Sequence, residues 1–196
     1  MDTAKLVYRY KNNLYINLTN KCPTACVFCV KNLWKMQFHE YNLDISKFEP
    51  GAAAYIEAIG KEVKTADFNE LIFCGYGEPT MRLTEMLEIC GAVRAGKIDG
   101  LPSDFKIRLN TNGLGNLINE KNIAPLLKGK INSVSISLNT ADPEQWLKLM
   151  NPLAAYREKG FLSVLQFIDE CAKNLDKTVI SAIDNLGADM EKLNAL

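Results

Sequence analysis

The 196-residue chain lacks the features that mark export or membrane insertion. Its first ten residues, M-D-T-A-K-L-V-Y-R-Y, contain no apolar h-region, which argues against a secretory signal. No apolar run approaches the ~20 residues that a membrane span requires. A soluble, cytoplasmic protein with no membrane partner is therefore expected. An excess of either charge is missing too. The 23 basic and 23 acidic side chains cancel, so bulk attraction to nucleic acid or anionic lipid is not written into the chain. Internal repeats, linkers and low-complexity tracts are absent, and residues 1–196 read as a single domain. Histidine is reduced to His39, which reads as an ordinary loop residue.

What is present is a 47% apolar composition, enough to fill a sizeable core. Short β-type runs alternate with runs of helical period, the pattern of βα units around a parallel sheet. Strands are expected at 14–18, 70–74, 106–110, 133–138 and 178–183. Helices are expected at 50–63, near 83–93 and 123–127, from Asp142-Pro143 to Asn151-Pro152, and at 161–173. A last helix carries Met190, Leu193 and Leu196. Helix 50–63 is expected to turn Ala53, Ile56, Ile59 and Val63 inward, and helix 161–173 to turn Phe161, Leu165, Ile168 and Ala172 to the sheet. Five such units fall short of the ~250 residues of a closed eight-stranded barrel. The fold class is α/β: a partial (β/α) barrel of five to six parallel strands, open on one side.

Six cysteines in a reducing cytosol read as metal ligands, reactive thiols or small core residues. Three of them, Cys22, Cys26 and Cys29, form C-x3-C-x2-C in the loop after the first strand, where parallel sheets place their chemistry. Thiolates are soft ligands, suited to iron–sulfur clusters, zinc or copper. A closed [4Fe–4S] site takes four thiolates, and no fourth cysteine lies nearby. One iron would stay open to a small molecule, as in catalytic sites. The alternative is a non-enzymatic module: an electron-transfer cluster, or a zinc site using His39.

From these residues on, the sequence resembles the radical S-adenosylmethionine (SAM) superfamily, whose C-x3-C-x2-C motif follows the first strand of a partial (β/α)6 barrel. Phe28 matches the aromatic residue common before the last cysteine. Gly75-Tyr76-Gly77-Glu78-Pro79 fills the place of a G-G-E-P-like motif, with Tyr76 a departure. Asn110 to Gly113 and Ser135 to Asn139 also look like family members. The small size and the wording C-G-Y-G-E-P-T resemble the short radical SAM proteins associated with TatD-type hydrolases. The resemblance implies a [4Fe–4S] cluster on Cys22, Cys26 and Cys29, chelating SAM through its open iron. It implies reductive cleavage of SAM to a 5′-deoxyadenosyl radical that abstracts hydrogen from a substrate not identified by the sequence. It also implies oxygen sensitivity, an external one-electron donor of flavodoxin or ferredoxin type, and a functional link to a TatD-type hydrolase. Phe28 would lie near the adenine. Gly75, Gly77 and Glu78, with Pro79, would face the methionine amino group, the glycines letting the backbone come close. Ser137 and Asn139 would serve the ribose hydroxyls. Asn110 joins the cofactor-binding set, in a place where glycyl-radical activating enzymes often have Asp. A sixth strand, expected by resemblance, is not seen in the sequence.

The other cysteines, Cys74, Cys90 and Cys171, lie far apart and read as core residues. Trp34 and Met36 read as packing that could also shield the cluster. Lys31 and Lys35 read as a solvated face.

Overall fold

The computed structural model describes residues 4–183, 186, 187 and 189–194. Strand β1 (Val7–Tyr10) turns back at Lys11, with φ of +51°, into β2 (Asn13–Ile16). The cysteine loop follows, then α1 (Val30–Leu33) and a small hairpin of β3 (Gln37–Phe38) and β4 (Tyr41–Asn42). Next come α2 (Ala52–Val63) and β5 (Glu70–Phe73), then a 3-10 turn (Pro79–Arg82) that runs into α3 (Leu83–Arg94). After β6 (Ile107–Thr111) come α4 (Gly115–Ile118), α5 (Ala124–Leu127) and β7 (Ser133–Ser137). The chain continues through α6 (Pro143–Met150), α7 (Ala154–Arg157), α8 (Gly160–Asn174), β8 (Lys177–Ser181) and α9 (Met190–Asn194).

The six-stranded sheet has the order β1-β2-β5-β6-β7-β8. Strands β2, β5, β6, β7 and β8 are parallel, and β1 lies antiparallel on the outer edge of β2. Since β1 and β8 do not pair, the sheet stays open. The expected partial barrel and its five parallel strands are present. The sixth strand precedes them in the chain and runs the other way. Alternation fixes which face is which. Leu14, Ile16, Leu71, Phe73, Ile107, Leu109, Val134 and Ile136 pack on the helices in one apolar core. Across it stand Tyr55 and Ile59 of α2, Met86, Ile89 and Val93 of α3, and Val164 and Phe167 of α8. Each such side chain, fully buried, contributes about 1.5–3 kcal/mol of transfer free energy.

The other face carries Tyr8 and Tyr15, packed with Leu43, Tyr76 and Phe38 in a separate aromatic cluster. The hairpin β3–β4 covers this side, and the Tyr76 hydroxyl donates to Gln37 O at 2.5 Å. Tyr76, the motif's departure, is thus the peg on which the hairpin hangs. His39 stacks on the Tyr10 ring (centroids 5.7 Å) and sits edge-on to Phe38 (4.6 Å).

Two helix faces differ from expectation. Ala53 and Ala172 are exposed, while Ala52, Tyr55 and Ile59 carry the inner face of α2, and Val164, Phe167 and Cys171 that of α8. Alanine at a face boundary costs little on either side, so the larger Tyr55 and Phe167 set the rotation. Helix α6 is delimited as expected: Asp142 accepts from Gln145 N at 2.7 Å, Pro143 fills the first turn, and Asn151 ends the helix in the left-handed region. Leu196 lies outside the described residues.

Candidate active site

The site forms at the C-terminal end of the parallel strands, where loops leave the sheet. It starts from Asn17 to Asn20, just past β2, which bind the surrounding segments together. Asn17 Nδ2 donates to Lys5 O (3.1 Å) and Leu43 O (2.9 Å), and the Tyr55 hydroxyl donates to Leu18 O (3.1 Å). Thr19 Oγ1 donates to Glu49 at 2.7 Å, and Asn20 Oδ1 accepts from Ile45 N at 2.6 Å. The cysteine loop that follows is tied on its outer edge to the end of α6. Ala25 N donates to Asn151 O, Val27 N to Leu149 O, and Leu153 N to Pro23 O, all at 2.9–3.0 Å.

Cys22, Cys26 and Cys29 all line one cavity of about 400 Å³, with Phe28 between the last two in sequence. This is within the ordinary size range of ligand pockets. The Thr24 hydroxyl stands 3.3 Å from the sulfurs of both Cys22 and Cys26. Met150 Sδ lies 3.9 Å from Cys26 Sγ, and Asn112 Nδ2 lies 3.8 Å from Cys22 Sγ. Burial pushes the Cys22 thiol up, with the Thr24 hydrogen bond pulling the other way. Burial, reinforced by its two neighbouring cysteines, pushes Cys26 up to about 11. In the metal-free chain, both are therefore thiols at neutral pH, and metal loading must displace their protons.

The facing wall comes from the tips of β5, β6 and β7. Gly75, Gly77, Glu78, Asn110 and Ser137 all line the cavity, as expected for the cofactor set. Their roles differ in detail from the expectation. A Cβ on Gly75 would meet Asn17 Oδ1 at 2.4 Å, and one on Gly77 would meet Thr19 O at 2.3 Å. The glycines therefore allow two protein segments to lie flush, a closeness the motif alone does not separate from approach to a ligand. Glu78 is 2% exposed, and its carboxylate is fully engaged. Oε1 accepts from Thr80 N (3.1 Å), Thr80 Oγ1 (2.8 Å) and Thr111 Oγ1 (2.8 Å), and Oε2 accepts from Asn112 N (2.8 Å). Burial raises its carboxyl, while these donors favour the ion. Glu78 clamps the β5 tip to the β6 tip.

Pro79 and Asn139 are buried and do not line the cavity. Pro79 opens the 3-10 turn, and Asn139 (φ +66°) braces β7 against β8 by accepting from Ile183 N at 3.2 Å. Asn110 Oδ1 is enclosed yet has no hydrogen-bond partner. Such an atom costs free energy unless something else bonds it, so it suits a ligand donor. Sequence reasoning passed over Cys74, Thr111, Asn112 and Met150. The first three sat in quoted motifs, while Met150 carried no signal. Cys90 and Cys171 are buried core residues, but Cys74 is half-buried and lines the cavity. This corrects its reading as core. Trp34 and Lys31 also border the cavity.

Among the described residues, no three His, Cys, Asp or Glu side chains close on one point as a single metal ion requires. The donor set is instead three soft thiols spread around a chamber, beside an acceptor without a donor. That composition fits a cluster and an organic ligand together. No helix among the described residues is long and apolar enough to cross a membrane.

The sequence model of the radical SAM superfamily matches residues 16–191. No curated protein matches the chain. Among solved structures, it is similar to a radical SAM methyltransferase from Sphaerobacter thermophilus, with a TM-score of 0.64 and 14% identity, over 96% of this chain and 54% of that one. It is also similar to methylornithine synthase, with a TM-score of 0.51 and 18% identity, over 93% of this chain and 47% of that one. The chain thus spans about half the length of each neighbour, and these likenesses establish the shared fold. With the profile running from β2 almost to its last residue, the chain belongs to the radical SAM superfamily, whose enzymes bind a [4Fe–4S] cluster and SAM.

Proposed function

We propose that the chain acts as a single radical SAM domain, with Cys22, Cys26 and Cys29 holding a [4Fe–4S] cluster and SAM bound beside it. The observation that carries this reading is that three thiols from one loop line a single cavity together with Gly75, Gly77 and Ser137. When bound, the pair supplies one-electron cleavage of SAM to a 5′-deoxyadenosyl radical able to abstract hydrogen from a substrate.

The chain's own residues bind, orient and enclose. Phe28 gives the cavity an apolar wall for the adenine ring. Backbone carbonyls along 75–77 offer acceptors to an ammonium group, matching donor to acceptor. Ser137 is the polar group offered to the ribose hydroxyls. Glu78 and Asn139 act from behind, fixing the strand tips that present these groups. Met150 Sδ packs 3.9 Å from Cys26 Sγ, and Trp34 lines the same cavity. Superfamily enzymes use a substrate and an electron donor; here the donor is proposed to be of flavodoxin or ferredoxin type. The wording of residues 74–80 supports membership of the short TatD-associated group, and with it a functional link to a TatD-type hydrolase. The two structural neighbours are named for different reactions, and the fold does not choose between substrates.

Anaerobic reconstitution with iron and sulfide should load about four irons per chain. Dithionite and SAM should then yield 5′-deoxyadenosine. A fully loaded, reduced protein that leaves SAM intact, with an electron paramagnetic resonance spectrum indifferent to added SAM, would overturn the proposal in favour of an electron-transfer module.

A further inference from the structure

Cys74 is the one cysteine outside the C-x3-C-x2-C loop that reaches the cavity; Cys90 and Cys171 lie fully in the core. It follows the last residue of β5, a different element from the cysteine loop, and its backbone is fixed at both ends. Its N–H donates to Ile16 O at 3.1 Å, and its carbonyl accepts from the Tyr8 hydroxyl at 3.1 Å. Rigid placement on a strand end suits a group that must meet a reacting atom.

A second, independent observation lies beside it. Asn110 lines the same cavity as Cys74, and its Oδ1 is enclosed and without a partner. Thiol and carbonyl therefore border the same chamber, and the carbonyl calls for a donor that the protein does not supply. A bound molecule with an N–H or O–H would satisfy Asn110 while lying next to the Cys74 sulfur. Burial keeps that sulfur protonated, the form that has a hydrogen atom to give.

We propose that Cys74 is a catalytic hydrogen-atom donor to the substrate, with Asn110 orienting the group that receives it. The inference rests on the radical SAM reading above. In the step, the Cys74 S–H bond breaks homolytically and a C–H bond forms on a substrate carbon radical, leaving Cys74 as a thiyl. One electron from the same class of low-potential external donor that primes the enzyme, together with one solvent proton, restores the thiol. Each turnover then consumes two electrons and one proton, and SAM leaves as methionine and 5′-deoxyadenosine. The substrate regains the hydrogen it lost. The reaction class is a rearrangement or bond cleavage without net oxidation of the substrate.

Two measurements on the reconstituted holoenzyme test this without a known substrate. The first is iodoacetamide labelling of Cys74, read by peptide mass spectrometry with and without S-adenosylhomocysteine. Occupancy of the chamber should slow labelling at least tenfold. The second is SAM cleavage by dithionite after equilibration in D2O. With no substrate in place, Cys74 is the available donor, so 5′-deoxyadenosine should gain one deuterium in the parent enzyme and none in Cys74→Ser, whose O–H does not donate. Equal deuterium in both proteins, or labelling of Cys74 indifferent to S-adenosylhomocysteine, overturns the role of Cys74 while leaving the enzyme class intact. Absence of any 5′-deoxyadenosine from loaded, reduced protein overturns the enzyme class itself.

Discussion

The two walls of the cavity are built on opposite plans. The wall from the β5 and β6 tips is complete as it stands: Glu78 receives four donors, and Gly75 and Gly77 lie flush on the segment after β2. The cysteine loop is held by backbone bonds from Pro23, Ala25 and Val27 to residues 149–153, while its thiols meet only long or sulfur contacts with Thr24, Met150 and Asn112. One wall is stabilised by the fold, and the other is left for its ligand to organise. Stability and loading should therefore respond to different residues.

The sharpest way to break that comparison is Gly77→Ala. The added methyl would overlap two backbone oxygens, Thr19 O at 2.3 Å and Lys21 O at 2.6 Å, neither of which can swing aside. Destabilisation at or above about 3 kcal/mol, the upper end for overpacking, is expected. Urea unfolding with a midpoint equal to the parent's would refute the flush-packing account. Glu78→Gln comes next. The new amide would point N–H groups at existing donors, costing about 1–3 kcal/mol. Thermal unfolding should fall by roughly 2–4 °C for each of those kcal/mol, and an unchanged Tm would mean that the clamp is not a clamp.

Cys26→Ala should have the smallest effect on the metal-free fold and the largest on iron content. The metal-free Tm should stay within about 2 °C of the parent, while reconstituted iron falls to background. A pH signature accompanies it. Cys26 in the folded chain ionises near 11, above its ordinary value of 9.0. Its neutral form thus supports the fold fully below pH 9, and that contribution fades as pH rises through 11. Iodoacetamide labelling of Cys26 in metal-free protein should climb between pH 9 and 11. A plateau already reached by pH 8 would contradict the burial argument.

The sequence made the five parallel strands legible because Leu14, Leu71, Leu109 and Val134 recur in β-type runs bounded by turn residues. It hid β1, which pairs antiparallel with β2 across a tight turn instead of entering through a βα unit. It hid the hairpin β3–β4 as well, whose strands are two residues each. At the site, the thiol spacing and the 75–78 motif are local and could be read directly. The partners of Glu78 lie 33 and 34 residues away at Thr111 and Asn112, and those of Asn17 lie on either side of β2. No linear pattern announces such pairings. Cys74 escaped for a related reason: a cysteine ending an apolar strand looks alike whether the next layer is core or chamber.

The cysteine loop is laced to the end of α6 by main-chain bonds at Ala25, Val27 and Leu153, and by an isolated bridge between Thr24 and Pro152. Whatever stiffens the thiols must therefore stiffen a stretch more than a hundred residues further along the chain. Amide hydrogen exchange at residues 149–153, remote in sequence and free of any ligand atom of its own, becomes a gauge of whether the inorganic centre has been installed.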